Sequence, residues 1–179
     1  MEKEQKLWYT KDMKKFDLKD FLFKFCLIAG FIALDLVSKT LFAKYFSSNP
    51  NIIIIPGLLE LTYFENSGAS FGIFADKTIY LTIFSAVFVV LIMIYDLFFK
   101  DDSKLYKWAY SLIVAGAIGN LVDRICFSFV RDFISMFSWY VCNIADILIF
   151  FGVILYIVFA ITDFFKKKKE KTNDKTDSW

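Results

Sequence analysis

The stretch AGAIGNLVDRICFSFVRDFISMFSWYVCNIAD, residues 115–146, starts as an apolar helix and then gathers three aspartates, two arginines and two asparagines. The 179-residue chain around it is 58% hydrophobic and 20% aromatic, too apolar for an ordinary soluble domain. Crossing a bilayer takes about 20 apolar helical residues. Four stretches are long enough, at 21–46, 78–99, 108–128 and 143–165, so the quoted segment spans the end of a third membrane helix and the start of a fourth. The sequence therefore predicts an all-α integral membrane protein with four transmembrane helices and a small extracytoplasmic β-containing loop region. The β element is expected in LLELTYFENSGASFGIF, where Leu59, Leu61 and Tyr63 alternate with Glu60 and Thr62 until Ser67-Gly68 breaks the pattern. Residues 129–142 read as a loop.

Lysine and arginine set the orientation. Seven lie in the N-terminal segment through Lys24, three in the 100–107 loop and six from Lys166 onward, leaving Lys39, Lys44, Lys77, Arg124 and Arg131 elsewhere. Both termini and the 100–107 loop are thus expected on the cytoplasmic side. The division that follows is a polar N-terminal extension (1–20), a four-helix transmembrane body (21–165) and a basic cytoplasmic tail (166–179). The tail reads as a solvated, disordered anchor touching anionic membrane lipids. The first apolar run is long and lacks a small-residue cleavage site, so it reads as an anchor, not a removable signal peptide.

Composition removes several classes of chemistry. There is no histidine, which excludes Ser-His-Asp and Cys-His catalysis and the histidine-based metal sites. The net charge of +2, with charges clustered at segment ends, gives no footprint for nucleic acid. Cys26, Cys126 and Cys142 lack CxxC spacing and read as packing residues, with a Cys126–Cys142 disulfide as the lesser alternative.

In the expected topology, five segments deliver polar groups to one depth near the outer surface. Helix one brings Asp35 and Lys39, the first outer loop Asn66 and Gly68, and helix three Asn120, Asp123 and Arg124, about 18–24 Å along from Trp108. The third outer segment adds Asp132, and helix four opens with Asn143 and Asp146. Charge inside a membrane is costly and marks function, so the cluster is a candidate site. Gly116, Asn120, Asp123 and Arg124 form one helical stripe, which Gly119 keeps shallow enough for another backbone to approach; GAIGN also reads as a plain packing interface.

Asp35 has Lys39 one turn later and reads as a structural ion pair, whereas Asp123, beside Arg124, reads as a buried brace. Asp132 and Asp146 then remain as a pair able to share a proton, one as general base toward water and the other as general acid toward a peptide carbonyl. Four aspartates still allow several pairings.

At these residues the chain resembles the lipoprotein signal peptidase family, signal peptidase II, through four blocks in order. LDLVSKT is similar to D-x-x-[ST]-K at Asp35, Ser38 and Lys39; NSGASF to N-x-G-x-x-F at Asn66, Gly68 and Phe71; GNLVDR to G-N-x-x-D-R at Gly119, Asn120, Asp123 and Arg124, followed by the V-x-D-F-like element at Asp132-Phe133; and NIAD to N-x-A-D at Asn143, Ala145 and Asp146. The resemblance implies an aspartic endopeptidase of the bacterial cytoplasmic membrane with its active site near the outer leaflet. Asp132 and Asp146 would be its catalytic pair, Asn66, Gly68, Asn120, Asp123, Arg124 and Asn143 the supporting or substrate-binding residues, and Asp35 with Lys39 structural partners. It also implies a diacylglyceryl-modified prolipoprotein substrate cut before the lipidated cysteine, inhibition by globomycin-type compounds, and no metal or organic cofactor. The 14 residues from Asp132 to Asp146 are fewer than the family leads one to expect, which bears on the shape of the outer loop. Tyr63, Phe64, Phe71 and Phe74 would cover the substrate lipid, or form an interfacial aromatic belt.

Three other readings use the same residues. A small transporter would use the aspartates as a proton or cation relay, but a relay spreads carboxylates across the depth, and only Asp96 and Asp163 lie near the inner end. A non-catalytic scaffold would use them as a structural lock. A Ser/Lys peptidase would need Ser70 with Lys39, because Ser38 and Lys39 are adjacent on a helix and diverge by about 100°.

Overall fold

The computed structural model describes residues 17–68, 78–99 and 101–176. The helices are α1 (Leu18–Phe46), α2 (Thr78–Phe99), α3 (Lys104–Phe127) and α4 (Ile144–Thr176), and the strands β1 (Ile52–Ile55), β2 (Leu59–Asn66), β3 (Val130–Met136) and β4 (Tyr140–Cys142). All four helices are long and apolar enough to cross a membrane. The strands form one antiparallel sheet in the order β1-β2-β3-β4, with α2 and α3 inserted between β2 and β3.

Local chemistry sets the element ends. Asp17 caps α1 by accepting from the Lys19 amide, and Ser103 caps α3 by accepting from the Tyr106 amide. α3 stops at Ser128, which takes the left-handed conformation at φ 66° while its amide donates to the Arg124 carbonyl. Pro56-Gly57 turns β1 into β2 with Gly57 at φ +72°, as a type II turn demands of its third residue. The β3–β4 hairpin turns through Phe137 and Ser138 at φ 55° and 61°, without glycine, and the Phe137 amide is tied to the Leu58 carbonyl at 2.9 Å.

Two expectations about segments need correcting. Residues 129–142 are not a loop: they contain β3 and β4, and β3 packs inward, with Val130, Asp132 and Phe133 buried and Phe133 stacked on Phe42 at 4.4 Å. Nor is the stretch after Lys166 disordered up to Thr176, because α4 continues through it. No glycine or proline interrupts 153–176, lysine and glutamate are strong helix formers, and Lys167 bonds Asp163 one turn back at 2.6 Å. The lesser alternative of a Cys126–Cys142 disulfide is also not met: all three cysteines are free thiols, Cys126 exposed and Cys142 buried.

α3 is the central helix. Its buried face runs from Tyr106 through Ala109, Ile113 and Gly116 to Asn120 and Asp123, and α1, α2 and α4 surround it with largely exposed outer faces. Glycine governs its close approaches. A β-carbon on Gly116 would collide with the Ala145 carbonyl oxygen, and one on Gly119 would lie 2.5 Å from an Asp35 carboxylate oxygen. The GAIGN stripe thus packs α3 against α4 and makes room for a carboxylate.

At the end of the bundle remote from Asp132 lies a second buried polar cluster. The Lys24 ammonium bonds Asp96 at 2.6 Å and pairs with Asp20 at 3.2 Å, Lys107 reaches Asp20 at 2.7 Å, and the Tyr106 hydroxyl donates to Asp96 at 3.0 Å. The cluster fastens α1, α2 and α3 together. In the sequence, Asp96 reads as an end charge and Lys24 and Lys107 only as charges that set orientation, because contacts between different helices carry no common sequence spacing.

Gly116→Ala is expected to destabilise the fold by about 1–3 kcal/mol, since the obstructing group is backbone and cannot swing aside. Thermal unfolding in detergent, with Gly30→Ala as a control at a glycine with open space, checks this; equal melting of the two variants would show that the approach is not tight.

Candidate active site

The site is built on the first turn of α4. Asn143 is its N-cap: the side-chain oxygen accepts from the Asp146 amide at 3.0 Å, and Asp146 reaches back to the Asn143 amide at 3.3 Å. This is a capping box with aspartate in its third position. A third donor at the helix start, the Ala145 amide, bonds Asp35 at 2.9 Å. NIAD is therefore a helix-start signal and a site signal in the same four residues.

The two asparagines then hold the two carboxylates. The Asn120 amide donates to Asp146 at 2.7 Å, and the Asn143 side-chain amide donates to Asp132 at 2.6 Å and to the Asn120 oxygen at 3.1 Å. Asn66, at the end of β2, donates to the second oxygen of Asp132 at 2.9 Å, while the Gly68 amide fixes the Asn66 oxygen at 3.1 Å. Each carboxylate oxygen thus receives one N–H. Asp132 is buried and Asp146 only partly so, which leaves the latter an edge toward solvent.

Behind the pair lies Lys39, fully buried. Its ammonium meets Asp35 at 2.8 Å, the Asn120 oxygen at 3.0 Å and Asp123 at 3.4 Å. The expected Asp35–Lys39 ion pair is present. Asp123 is the expected brace, but its partner is Arg131 and not Arg124: the Arg131 backbone amide, Nε and Nη2 all donate to it, with Nη2 at 2.7 Å. The physical reason is strand alternation. Arg131 and Asp132 point to opposite sides of β3, so one is directed to Asp123 and the other to the asparagines. Arg124 lies near Asp146, Asp132 and Asp123, and its buried Nε meets no acceptor among the described residues.

Burial pushes the Asp132 carboxyl up to about 7, and the neighbouring Asp146 carboxylate adds to the rise, against the hydrogen bonds from Asn66 and Asn143 and the charge of Lys39. Cys142 is pushed up to about 12 by burial and by the same two carboxylates, so it remains a thiol and no nucleophile. Ser38 donates to the Asp35 carbonyl at 2.8 Å and is turned away from Lys39. Ser70, Phe71 and Phe74 lie outside the described residues. Of the other aromatics, Phe64 is exposed on β2 directly opposite Asp132, and Tyr63 donates its hydroxyl to Glu65 at 3.2 Å.

A family model described as signal peptidase (SPase) II matches residues 27–162, which include every one of these polar groups. The chain belongs to the signal peptidase II family. It is 40% identical over 137 residues to a lipoprotein signal peptidase of Clostridium tetani, covering 74% of this chain and 88% of that protein. It is 38% identical over 147 residues to one of Caldicellulosiruptor bescii, covering 79% and 96%. Among solved structures it is similar to a bacterial membrane enzyme determined by the in meso method at 1.9 Å resolution, with a TM-score of 0.72 and 26% identity over 84% of this chain and 98% of the other. A second such enzyme, at 2.3 Å, matches with a TM-score of 0.69 and 28% identity over 78% and 88%. Membership in the signal peptidase II family accounts for the apolar helices and the polar site together, and does not favour the transporter or scaffold readings.

The raised Asp132 carboxyl has a consequence for stability. The folded protein holds that proton more tightly than the unfolded chain, whose ordinary value is 3.8, so the contribution is full below about pH 4 and is lost as pH rises through about 7. Asp132→Asn carries no such titration. Its melting temperature is expected to gain on that of the wild type steadily from about pH 4 to about pH 7, and a pH-independent difference would show that Asp132 is not holding the proton.

Proposed function

We propose that this membrane protein is an aspartic endopeptidase that removes the signal peptide from diacylglyceryl-modified prolipoproteins, cutting before the lipidated cysteine. The observation that carries the reading is the adjacent pair Asp132 and Asp146, each gripped by two N–H donors, in a chain of the signal peptidase II family. Asp132, buried and with its carboxyl raised, holds the shared proton and acts as general acid toward the scissile carbonyl. Asp146, with an edge toward solvent, is the general base that takes a proton from the attacking water. Water oxygen bonds to the carbonyl carbon as the carbonyl oxygen takes the Asp132 proton, giving the tetrahedral diol. On collapse the proton gained by Asp146 passes to the leaving amine as the C–N bond breaks, and one diol hydroxyl returns its proton to Asp132. Lys39, engaged by two carboxylates and an amide, supports this chemistry as a fixed cation, which leaves the Ser/Lys alternative without a free amine base.

In this reading both termini and the 100–107 loop are cytoplasmic, and the site faces the outer leaflet, where a diacylglyceryl cysteine presents its bond. Residues 21–165 form the catalytic body. Asn66 and Arg124 bind the substrate backbone, the sheet covers its lipid, and globomycin-type compounds compete for the same place. The basic end of α4 meets the anionic inner leaflet.

The test uses purified wild type with Asp132→Asn and Asp146→Asn, incubated with a diacylglyceryl-modified prolipoprotein and with its unmodified precursor. The wild type is expected to cut only the lipidated form, and each variant to lose about 10³-fold or more of that activity while remaining folded. Near-normal cleavage by either variant would remove it from the catalytic pair.

A further inference from the structure

Charge around the aspartate pair does not balance if every group is ionised. Among the described residues, the polar core holds Asp35 and Lys39 from α1, Asp123 and Arg124 from α3, Arg131 and Asp132 from β3, and Asp146 from α4, which is four carboxylates against three cations. Glu65 of β2 stands opposite Arg131 in the sheet register, but it is exposed and takes the Tyr63 hydroxyl; Cys142 of β4 stays a neutral thiol. A net charge in a largely buried cluster is costly, and one retained proton brings the core to neutrality.

Arg131 is the member of this set that no sequence argument had assigned. It is buried, and its backbone amide, Nε and Nη2 are all spent on Asp123. Its Nη1 reaches the Thr40 hydroxyl at 3.2 Å, and its guanidinium lies over the Phe127 ring at 4.5 Å. A residue adjacent to Asp132 in the strand thereby cancels Asp123, the second carboxylate, after Asp35, that meets Lys39.

We propose that Arg131 is a positioning residue that sets the charge state of the catalytic pair: by neutralising Asp123 and anchoring β3, it keeps Asp132 and Asp146 at one shared proton and Asp132 aimed at Asn66 and Asn143. The inference rests on the aspartyl reading above. Removing the arginine charge leaves the core short of a cation, so the pair binds protons more readily and the cleavage profile moves to higher pH. Removing the Asp123 charge does the opposite. Removing both restores the balance.

The experiment is the pH dependence of kcat/KM on a diacylglyceryl-modified prolipoprotein for the wild type, Arg131→Gln, Arg131→Lys, Asp123→Asn and the double variant Asp123→Asn/Arg131→Gln. The expected shifts are roughly one pH unit upward for Arg131→Gln and roughly one unit downward for Asp123→Asn, with the double variant back at the wild-type position. Arg131→Lys keeps the charge but loses the fork, so its profile stays in place while its rate falls. An Arg131→Gln profile that superimposes on the wild type, or two single variants that shift in the same direction, would overturn the proposal. If Arg131→Gln does not fold, the same decision falls on the other three: a displaced lysine or double-variant profile, or an unmoved Asp123→Asn profile, overturns it. Asp132→Asn in the same assay separates the two levels. Cleavage by that variant defeats the aspartyl reading itself, whereas an inactive Asp132→Asn beside an unmoved Arg131→Gln defeats only the role of Arg131.

Discussion

The Lys39 ammonium has no access to water, and that single constraint orders the rest of the site. A buried cation must be surrounded by acceptors, and each of its three partners also holds something else. Asp35 caps α4 through the Ala145 amide, Asn120 reaches across to Asp146, and Asp123 receives Arg131 and so fixes β3. One lysine in α1 therefore ties together α3 with α4 and β3, the helix and the strand that carry the aspartate pair. Gly119 is part of the same arrangement, because the Asp35 carboxylate occupies the space that a side chain there would fill.

The sheet does a different job from the helices. It is small, and only β3 is well buried, yet it positions Asn66 and Asp132 on neighbouring strands within 2.9 Å of one another. The pairing of Phe64 with Asp132 and of Asn66 with Val130 determines which side chains flank the site. Helices alone, packed around α3, would supply Asn120, Asn143 and Asp146 and leave Asp132 without a platform.

Much of this was legible in the sequence, for reasons that differ by element. The four helices announce themselves by length of apolar run, and β2 by its alternation up to Ser67-Gly68. Asp35–Lys39 is legible because its partners are four apart on one helix. NIAD is legible as the start of the fourth helix, while its capping box emerges only in the structure. The role of Arg131 is not, since its partner Asp123 lies on another element and the adjacent Arg124 offers a nearer and misleading match. β3 and β4 were hidden because the hairpin turns at Phe137-Ser138 with none of the glycine or asparagine that marks such turns. The helical continuation to Thr176 was missed for a third reason: a run of lysines reads as solvated chain, although its residue types favour helix wherever one already precedes them.

The pairing of the two buried lysines within α1 bears on how the chain enters the bilayer. Lys39 is neutralised by Asp35 of its own helix, so α1 carries that charge already paired, before any neighbour has arrived. Lys24 likewise has Asp20 of its own helix one turn back at 3.2 Å, and its further partner Asp96 sits close to the end of α2, so that contact forms only when the two helices dock. Charge placement thus leaves α1 with its lysines internally balanced, and the contacts of Lys24 with Asp96 and of Lys39 with Asp123 join it to its neighbours in the assembled bundle.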